Sequence, residues 1–395
     1  MTAPFTARTS SSSESTSAKC KPRGCSSKLR PRFINGLRLY WFCCNLDGSA
    51  ASYVCLRLMQ GNVPFRSPTR LEDQLRAREL SRRLKERVLQ EGFEKVGIVA
   101  AAALDSERNQ LIEWLGRGHH GDMSWMARDP EMRADPRKLF PAARSVVVVA
   151  INYYTPQAHT HDQATGKVSR YAWGEDYHEV VSAKLRSLLD WIREKVPEAE
   201  GKVCVDIQPM MDKAWAARAG LGWIGKHTNL ITTEYGSWVF IGELLLNLEL
   251  EYDSELVADH CGSCTLCIDA CPTQAITEPY VVDSNKCISY ATIELREAEL
   301  PQPVAENLEG WLYGCDICQD VCPWNRFEQT TNEVRFLPRE GNVNASLAEV
   351  LELTPETYAE RFRGSAMKRA KLSGLQRNAR ALLKRKPTSG GKPPS

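Results

Sequence analysis

No window of the 395-residue sequence approaches eighteen uninterrupted apolar residues, and no charged lead runs into a clean apolar stretch with a small-residue cleavage site. The first absence excludes a membrane-spanning helix, and the second leaves no sign of a standard secretory signal, so the expectation is a cytoplasmic protein with no membrane partner. A G-x-G-x-x-G between a strand and a helix is also missing, which weighs against a nicotinamide or flavin site. No long internal repeat is present. Acidic residues are scarce at both ends: residues 1–70 hold eleven Lys/Arg against only Glu14 and Asp47, and residues 361–395 hold eleven Lys/Arg and no acid. The net charge of +2 therefore hides an excess of acid in the middle. A basic tail of this kind either meets a phosphate backbone or simply stays solvated.

What is there begins to look globular only after the lead. Residues 1–70 read "TSSSSESTSAKCKPRGCSSKLRPRF" and "LYWFCCNLDGSAASYVC", with neither a helical nor an alternating period, so disorder is expected, as a transit peptide or as sequence upstream of the true start. Cys20, Cys25, Cys43, Cys44 and Cys55 are discounted as ligands for that reason. From Leu71, the apolar positions Leu71, Leu75, Leu84 and Val88 predict an amphipathic helix closed by Gly92, and "KVGIVAAA" a strand. Further strands are expected at 145–154, 202–207 and 237–250, with helices near 107–116, 177–196 and 209–219. This alternation predicts an α+β multidomain chain whose first domain, 71–255, is a layered α/β unit. Residues 256–330 form a cysteine-rich domain, and 331–395 a basic helical region with a disordered tail.

The cysteine-rich segment carries the strongest signal. Cys261, Cys264, Cys267 and Cys271, followed by Pro272, have the C-x2-C-x2-C-x3-C-P spacing of bacterial ferredoxins, and Cys287, Cys315, Cys318 and Cys322, followed by Pro323, make a second, split set. In two-cluster ferredoxins the last cysteine of each run reaches the other cluster. By that precedent Cys261, Cys264, Cys267 and Cys322 hold one [4Fe-4S] cluster, and Cys271, Cys287, Cys315 and Cys318 the other. Zinc sites and disulfides are the competing uses. Cys204, inside an apolar strand, reads as a small core residue. Two low-potential clusters deliver single electrons, so an acceptor must lie close by.

The segments "KCISYATIEL", "YGCDICQDVCPWN", "SRYAWGEDYH" (169–178) and "VDIQPMMDKAWAARAGLGWIGKHTNLI" (205–231) together closely resemble the epoxyqueuosine reductases, cobalamin-dependent iron–sulfur enzymes of tRNA queuosine synthesis. The resemblance runs from about Leu71 to the basic segment 362–378. It implies a cobalamin-binding catalytic domain, a two-[4Fe-4S] ferredoxin-like domain and a short carboxy-terminal HEAT-like helical element. The implied reaction is reduction of the epoxide of epoxyqueuosine to queuosine at the wobble position of tRNA, by cob(I)alamin reduced through the clusters. An external low-potential electron donor and the tRNA anticodon stem-loop are the implied partners, and the chain is expected to be a monomer. A cobalamin-dependent reductive dehalogenase of a small molecule and a non-catalytic electron-transfer ferredoxin remain as alternatives.

The resemblance makes Asp206 the acid that protonates the departing oxygen, a role needing a desolvated carboxyl, whereas its bland reading is a helix cap. It makes Arg133, Tyr177, His178, Asp206, Lys226, Ser289, Tyr290, Asp316 and Ile317 cobalamin contacts; for Arg133 and Lys226 the alternative is a surface ion pair. Arg296, Arg369, Lys371 and Arg377 are the expected tRNA contacts. His227, Asn229 and Asp212 depart from the family pattern, Asp212 standing where Glu is common.

Overall fold

The computed structural model describes residues 31–34, 37–40, 42–43, 52–53 and 70–384. Among the described residues, the first unit, Met1–Ser67, contributes two short antiparallel strand pairs, Pro31–Ile34 with Leu37–Tyr40 and Phe42–Cys43 with Ser52–Tyr53. They form where no alternating period was legible; the disorder expected for the rest of 1–70, and for the tail beyond 384, lies outside the described residues.

The second unit, Pro68–Ser395, is one compact body. Its centre is a four-stranded sheet in the order Lys95–Ala100, Ser145–Asn152, Val239–Leu246, Gly201–Cys204, antiparallel throughout. An α+β architecture is therefore correct, with the layering expected of a sheet covered by helices. Strand Ser145–Asn152 is buried at all eight positions, and its two faces enter different cores. Val147, Val149 and Ile151 pack with Val181, Leu185 and Leu188 of helix Tyr177–Lys195. Val146, Val148 and Ala150 pack on the other side with Trp215 and Ala216 of helix Asp212–Arg218. Covering both faces removes the usual polar alternation, which is why "SVVVVAIN" reads as an unbroken apolar run. Gly97 lets the second helix sit close: a Cβ there would lie 2.1 Å from Ala219 O.

Helix Arg70–Gln90 matches its expected position and ends before Gly92, which has φ +86°. Leu84 and Val88 are fully buried, but Leu71 and Leu75, in the first turns of the helix, are exposed. The expected strands shorten at their ends; in particular 202–207 becomes Gly201–Cys204. Cys204 is fully buried, as expected of a core residue.

The three sequence segments do not separate into bodies. Strand Thr165–Val168 pairs in parallel with Trp311–Tyr313, from the cysteine-rich segment, and antiparallel with Asn344–Ser346, from the carboxy-terminal segment. This small sheet stitches the cysteine-rich segment to the main body. No described helix is long and apolar enough to cross a membrane.

Candidate active site

Asp206 lies two residues past the end of its strand, in a turn where its φ is 55°, a left-handed conformation that Asp tolerates better than most residues. The turn leaves the side chain 60 % exposed and facing the start of helix Tyr177–Lys195. That helix begins at Asp176, whose carboxylate accepts from His178 N. The Tyr177 ring stacks on Phe240 with centroids 4.3 Å apart, and His178 stacks on Tyr177 at 4.0 Å. Held this way, Tyr177 Oη donates to Asp206 Oδ2. His178 Nε2 stands 3.5 Å from the same oxygen, and its Nδ1 is 2.6 Å from Asp176 Oδ1.

The charges follow from these contacts. Burial in the cleft would raise the Asp206 pKa, but hydrogen bonds from His178 and Tyr177, with the His178 and Lys213 charges, hold it below the usual carboxylate range. Burial would likewise depress His178, yet Asp176 and Asp206 lift it to about 9. Burial and the adjacent Asp206 charge keep the Tyr177 hydroxyl protonated, well above 10. Asp206 is thus held toward its carboxylate form, flanked by two groups that hold protons, and the desolvation expected for an acid role has to come from a ligand beside it.

Six residues on, Asp212 behaves oppositely. Burial, then the Asp206 charge, raises its pKa to about 7. Beside it Glu243, fully buried on strand Val239–Leu246, is also pushed well up by burial and by Asp212.

A cleft of two chambers surrounds these groups. The inner one, about 500 Å³, is lined by Tyr177, Asp206, Asp212, Lys213, Ser289 and Ile317, and also by Cys271, Cys287, Cys315 and Cys318. The outer one, about 1030 Å³, is lined by Trp125, Arg133, His178, Tyr290, Arg369 and Lys371. Tyr177, Asp206 and Ser289 line both chambers and so stand at the waist between them.

The eight cysteines fall into two neighbourhoods. Cys267 feels Cys322, Cys261 and Cys264, while among the cysteines Cys318 feels Cys287 first, then Cys271 and last Cys267, and Cys315 feels Cys318 and Cys287. All eight are free thiols. Burial pushes the Cys287, Cys315 and Cys318 thiols up, so a bound cation is needed to hold them as thiolates. Ala275 N donates to Cys271 Sγ at 3.3 Å, the kind of contact that tunes a cluster's potential. Among the described residues no three His, Cys, Asp or Glu converge on a single-ion site.

Other expected contacts divide. Arg133 is buried in the outer chamber, bonded to Trp125 O at 2.8 Å with its Nε unpartnered. Tyr290 Oη accepts from Asp122 N at 2.7 Å. Three expectations are corrected. Lys226 faces away from both chambers and spends its ammonium on Gly262 O and Cys264 O, at 2.7 and 2.9 Å, bracing the first cysteine loop. Asp316 is 2 % exposed and is consumed by Ser169 Oγ and Arg170 N. Arg377 is 6 % exposed and bonds the carbonyls of Ala291, Leu295 and Glu297, so it is an internal strut with no surface for tRNA. Arg296 bonds Ile293 O and Arg369 O, and Arg369 forms a bidentate pair with Glu294 at 2.7 and 2.8 Å while staying at the outer chamber. His227 and Asn229 line the inner chamber, where burial lowers the His227 pKa to about 4.

Sequence reasoning passed over Asp176, Lys213 and Glu243. Glu243 carried a usable signal, being a lone acid in the apolar run "VFIGELLL".

Comparison with known proteins fits this arrangement. Residues 133–207 match the family model "Epoxyqueuosine reductase QueG, DUF1730", and residues 260–325 match a "4Fe-4S double cluster binding domain". An epoxyqueuosine reductase of Synechocystis sp. is 51% identical over 280 residues, 71% of this chain and 96% of that protein. One from Cellulophaga algicola is 46% identical over 295 residues, 75% and 95% of the two chains. A solved epoxyqueuosine reductase with an epoxyqueuosine-modified tRNA-Tyr stem loop superposes with TM-score 0.72 at 32% identity, over 77% of this chain and 81% of that one. With half of 280 aligned residues identical to a relative matched over nearly its whole length, the chain belongs to the epoxyqueuosine reductase family.

Proposed function

We propose that this protein reduces the epoxide of epoxyqueuosine in tRNA to the alkene of queuosine, taking electrons from an external low-potential donor through two [4Fe-4S] clusters to cobalamin. The observation that carries the reading is the place of Asp206, at the waist between a chamber walled by four cysteines and a chamber rimmed by Arg369 and Lys371. Cys261, Cys264, Cys267 and Cys322 hold one cluster in this proposal, and Cys271, Cys287, Cys315 and Cys318 hold the cluster that faces the inner chamber. Ser289, Ile317, Tyr177 and Arg133, which line the two chambers, are the residues that would hold cobalamin. Cobalamin bound there supplies the reducing equivalents at the substrate carbon.

The chain's own part is the proton. An alkoxide is a poor leaving group, so the epoxide oxygen must be protonated as its bond to carbon breaks. Asp206 would face that oxygen, with His178, cationic below about pH 9, 3.5 Å from its carboxylate. When a bound ligand covers the exposed carboxylate, the loss of water raises the Asp206 pKa and draws the His178 proton toward it. Tyr177 fixes the carboxylate's orientation meanwhile.

The basic rim favours a polyanion over the small haloarene of a dehalogenase. Phosphates of a splayed anticodon loop would meet Lys371 and the outward face of Arg369. The test is anaerobic reconstitution with iron, sulfide and cobalamin, followed by nucleoside analysis of epoxyqueuosine tRNA. Conversion to queuosine at one corrin and about eight irons per chain is expected. Unchanged substrate with both cofactors loaded would overturn the reading.

A further inference from the structure

Glu243 is the anomaly of the central sheet. It is fully buried, it faces Cys204 across one strand pair and Val148 across the other, and neither of its carboxyl oxygens receives a hydrogen bond from any N–H or O–H group. Asp212 Oδ1 is buried and equally unserved. Yet the two side chains are within hydrogen-bonding reach of each other. Two carboxylates have only acceptors to offer, so the pair is satisfied only if a proton stays between them. Leaving both ionised, buried and unpaired would cost far more than retaining that proton.

The surroundings set when the proton is held. The charged and titratable groups facing the pair are Asp206 from its turn, Cys204 from the neighbouring strand, Lys213 on the same helix as Asp212, and Tyr177 and Arg133 across the cleft. Asp206 is an anion and disfavours a second charge at Asp212; Lys213 and Arg133 favour one. Burial decides the balance.

Asp212 lines the inner chamber together with Asp206, whereas Glu243 lies behind it with no exposure. We propose that Asp212 and Glu243 share one proton and act, through Asp206, as the proton reserve of the epoxide reduction. The inference rests on the reading above. Removing an epoxide oxygen breaks both C–O bonds, forms a C=C bond and releases water, consuming two electrons and two protons. The electrons arrive through the clusters. One proton comes through Asp206 with His178 behind it; a single carboxyl cannot deliver the second without being recharged. The shared proton moves from Asp212 through solvent in the chamber to Asp206, which passes it to the oxygen, and the pair regains a proton from bulk water after product leaves. Asp212 and Glu243 are thus positioning residues that work through Asp206.

Glu243→Gln keeps the shape and supplies an N–H donor to Asp212 while removing the shared proton. Infrared difference spectra of the full chain, without substrate, should show protonated-carboxyl C=O intensity that falls as pH rises past about 7, where Asp212 ionises, and a remaining band above that pH from the shared proton, which Glu243→Gln lacks. In the reconstituted enzyme, Glu243→Gln should lower kcat on the order of 10²-fold above pH 7, leave KM for tRNA unchanged and steepen the fall in rate past pH 7. Asp212→Glu, which restores a carboxyl pair, should keep both the band and the wild-type pH profile, and guards against a merely unfolded variant. A wild-type protein with no such band would overturn the proposal, as would a Glu243→Gln enzyme with the wild-type pH profile. If wild type loaded with both cofactors fails to convert substrate, the reading of the reaction fails, while the infrared band still reports on the pair.

Discussion

Cys271, Cys287, Cys315 and Cys318 line one wall of the inner chamber, and Tyr177, Asp206 and Asp212 line another. On the first wall burial raises Cys287, Cys315 and Cys318, and nothing in the chain lowers Cys315 or Cys318 enough to make a thiolate. On the second wall the chain itself assigns every charge: Asp206 is held down by His178 and Tyr177, while Asp212, six residues away, is held up by burial. The electron side is therefore completed by its iron, whereas the proton side is organised by side chains alone. Three substitutions separate the two walls.

The largest effect is expected from Cys318→Ser. Iron should fall from about eight to about four per chain and reduction of epoxyqueuosine should cease, because the wall that faces the inner chamber loses its cluster. The Asp206 side should keep its titrations, which histidine resonances of His178 would report. A Cys318→Ser protein that retained all its iron would break the ligand assignment. Next in size is Asp206→Asn, which removes an acid and keeps the shape. Turnover should drop by about 10²–10⁴, the range typical of general acid catalysis, with iron content, cobalamin and tRNA affinity unchanged. Equal losses in iron would show that the two walls are not independent.

His178→Gln probes a smaller step on the proton side. The His178 pKa is raised to about 9 in the folded chain, so the imidazolium is present below that value and is lost as pH rises through it. Wild-type turnover should decline across that window. The variant, never cationic, should run about tenfold slower at neutral pH and show no decline near 9. A variant with the same alkaline limb as wild type would assign that limb to another group.

The two walls also differ in how far they could be read from sequence. Cysteine ligands repeat at short, fixed spacings, so both sets, including the split one, were visible in one segment. The proton side is drawn from Asp176–His178, Asp206–Asp212 and Glu243, three segments brought together by an antiparallel sheet whose strand order no spacing reveals. Asp206 and Tyr177 are legible only by family likeness, and the two donors that hold the Asp206 carboxylate down are delivered by the fold. Strands and helices were legible from apolar runs, but their ends were not: Asp206 left its strand because of a left-handed turn. Basic residues were the least legible. Nothing in "KRAKLSGLQRN" tells Arg377, buried among carbonyls, from Arg369, which stays at the cleft.

That pair supplies the smallest and last contrast, between a strut and a rim. Arg377→Ala strips hydrogen bonds from the carbonyls of Ala291, Leu295 and Glu297 inside the protein, so it should cost about 1–3 kcal/mol of stability, read as a lower Tm. It should leave the salt dependence of tRNA binding alone. Arg369→Glu should do the reverse. Its guanidinium already pairs with Glu294, so only part of its charge is offered outward, and losing it costs little in folding. Each phosphate contact contributes roughly 0.7–0.9 to the slope of log affinity against log salt, so the variant's slope should flatten by about one unit, measured by titrating labelled tRNA at several ionic strengths. A flattened slope in Arg377→Ala, with none in Arg369→Glu, would move the nucleic-acid contact off the outer chamber's rim and away from the waist where Asp206 stands.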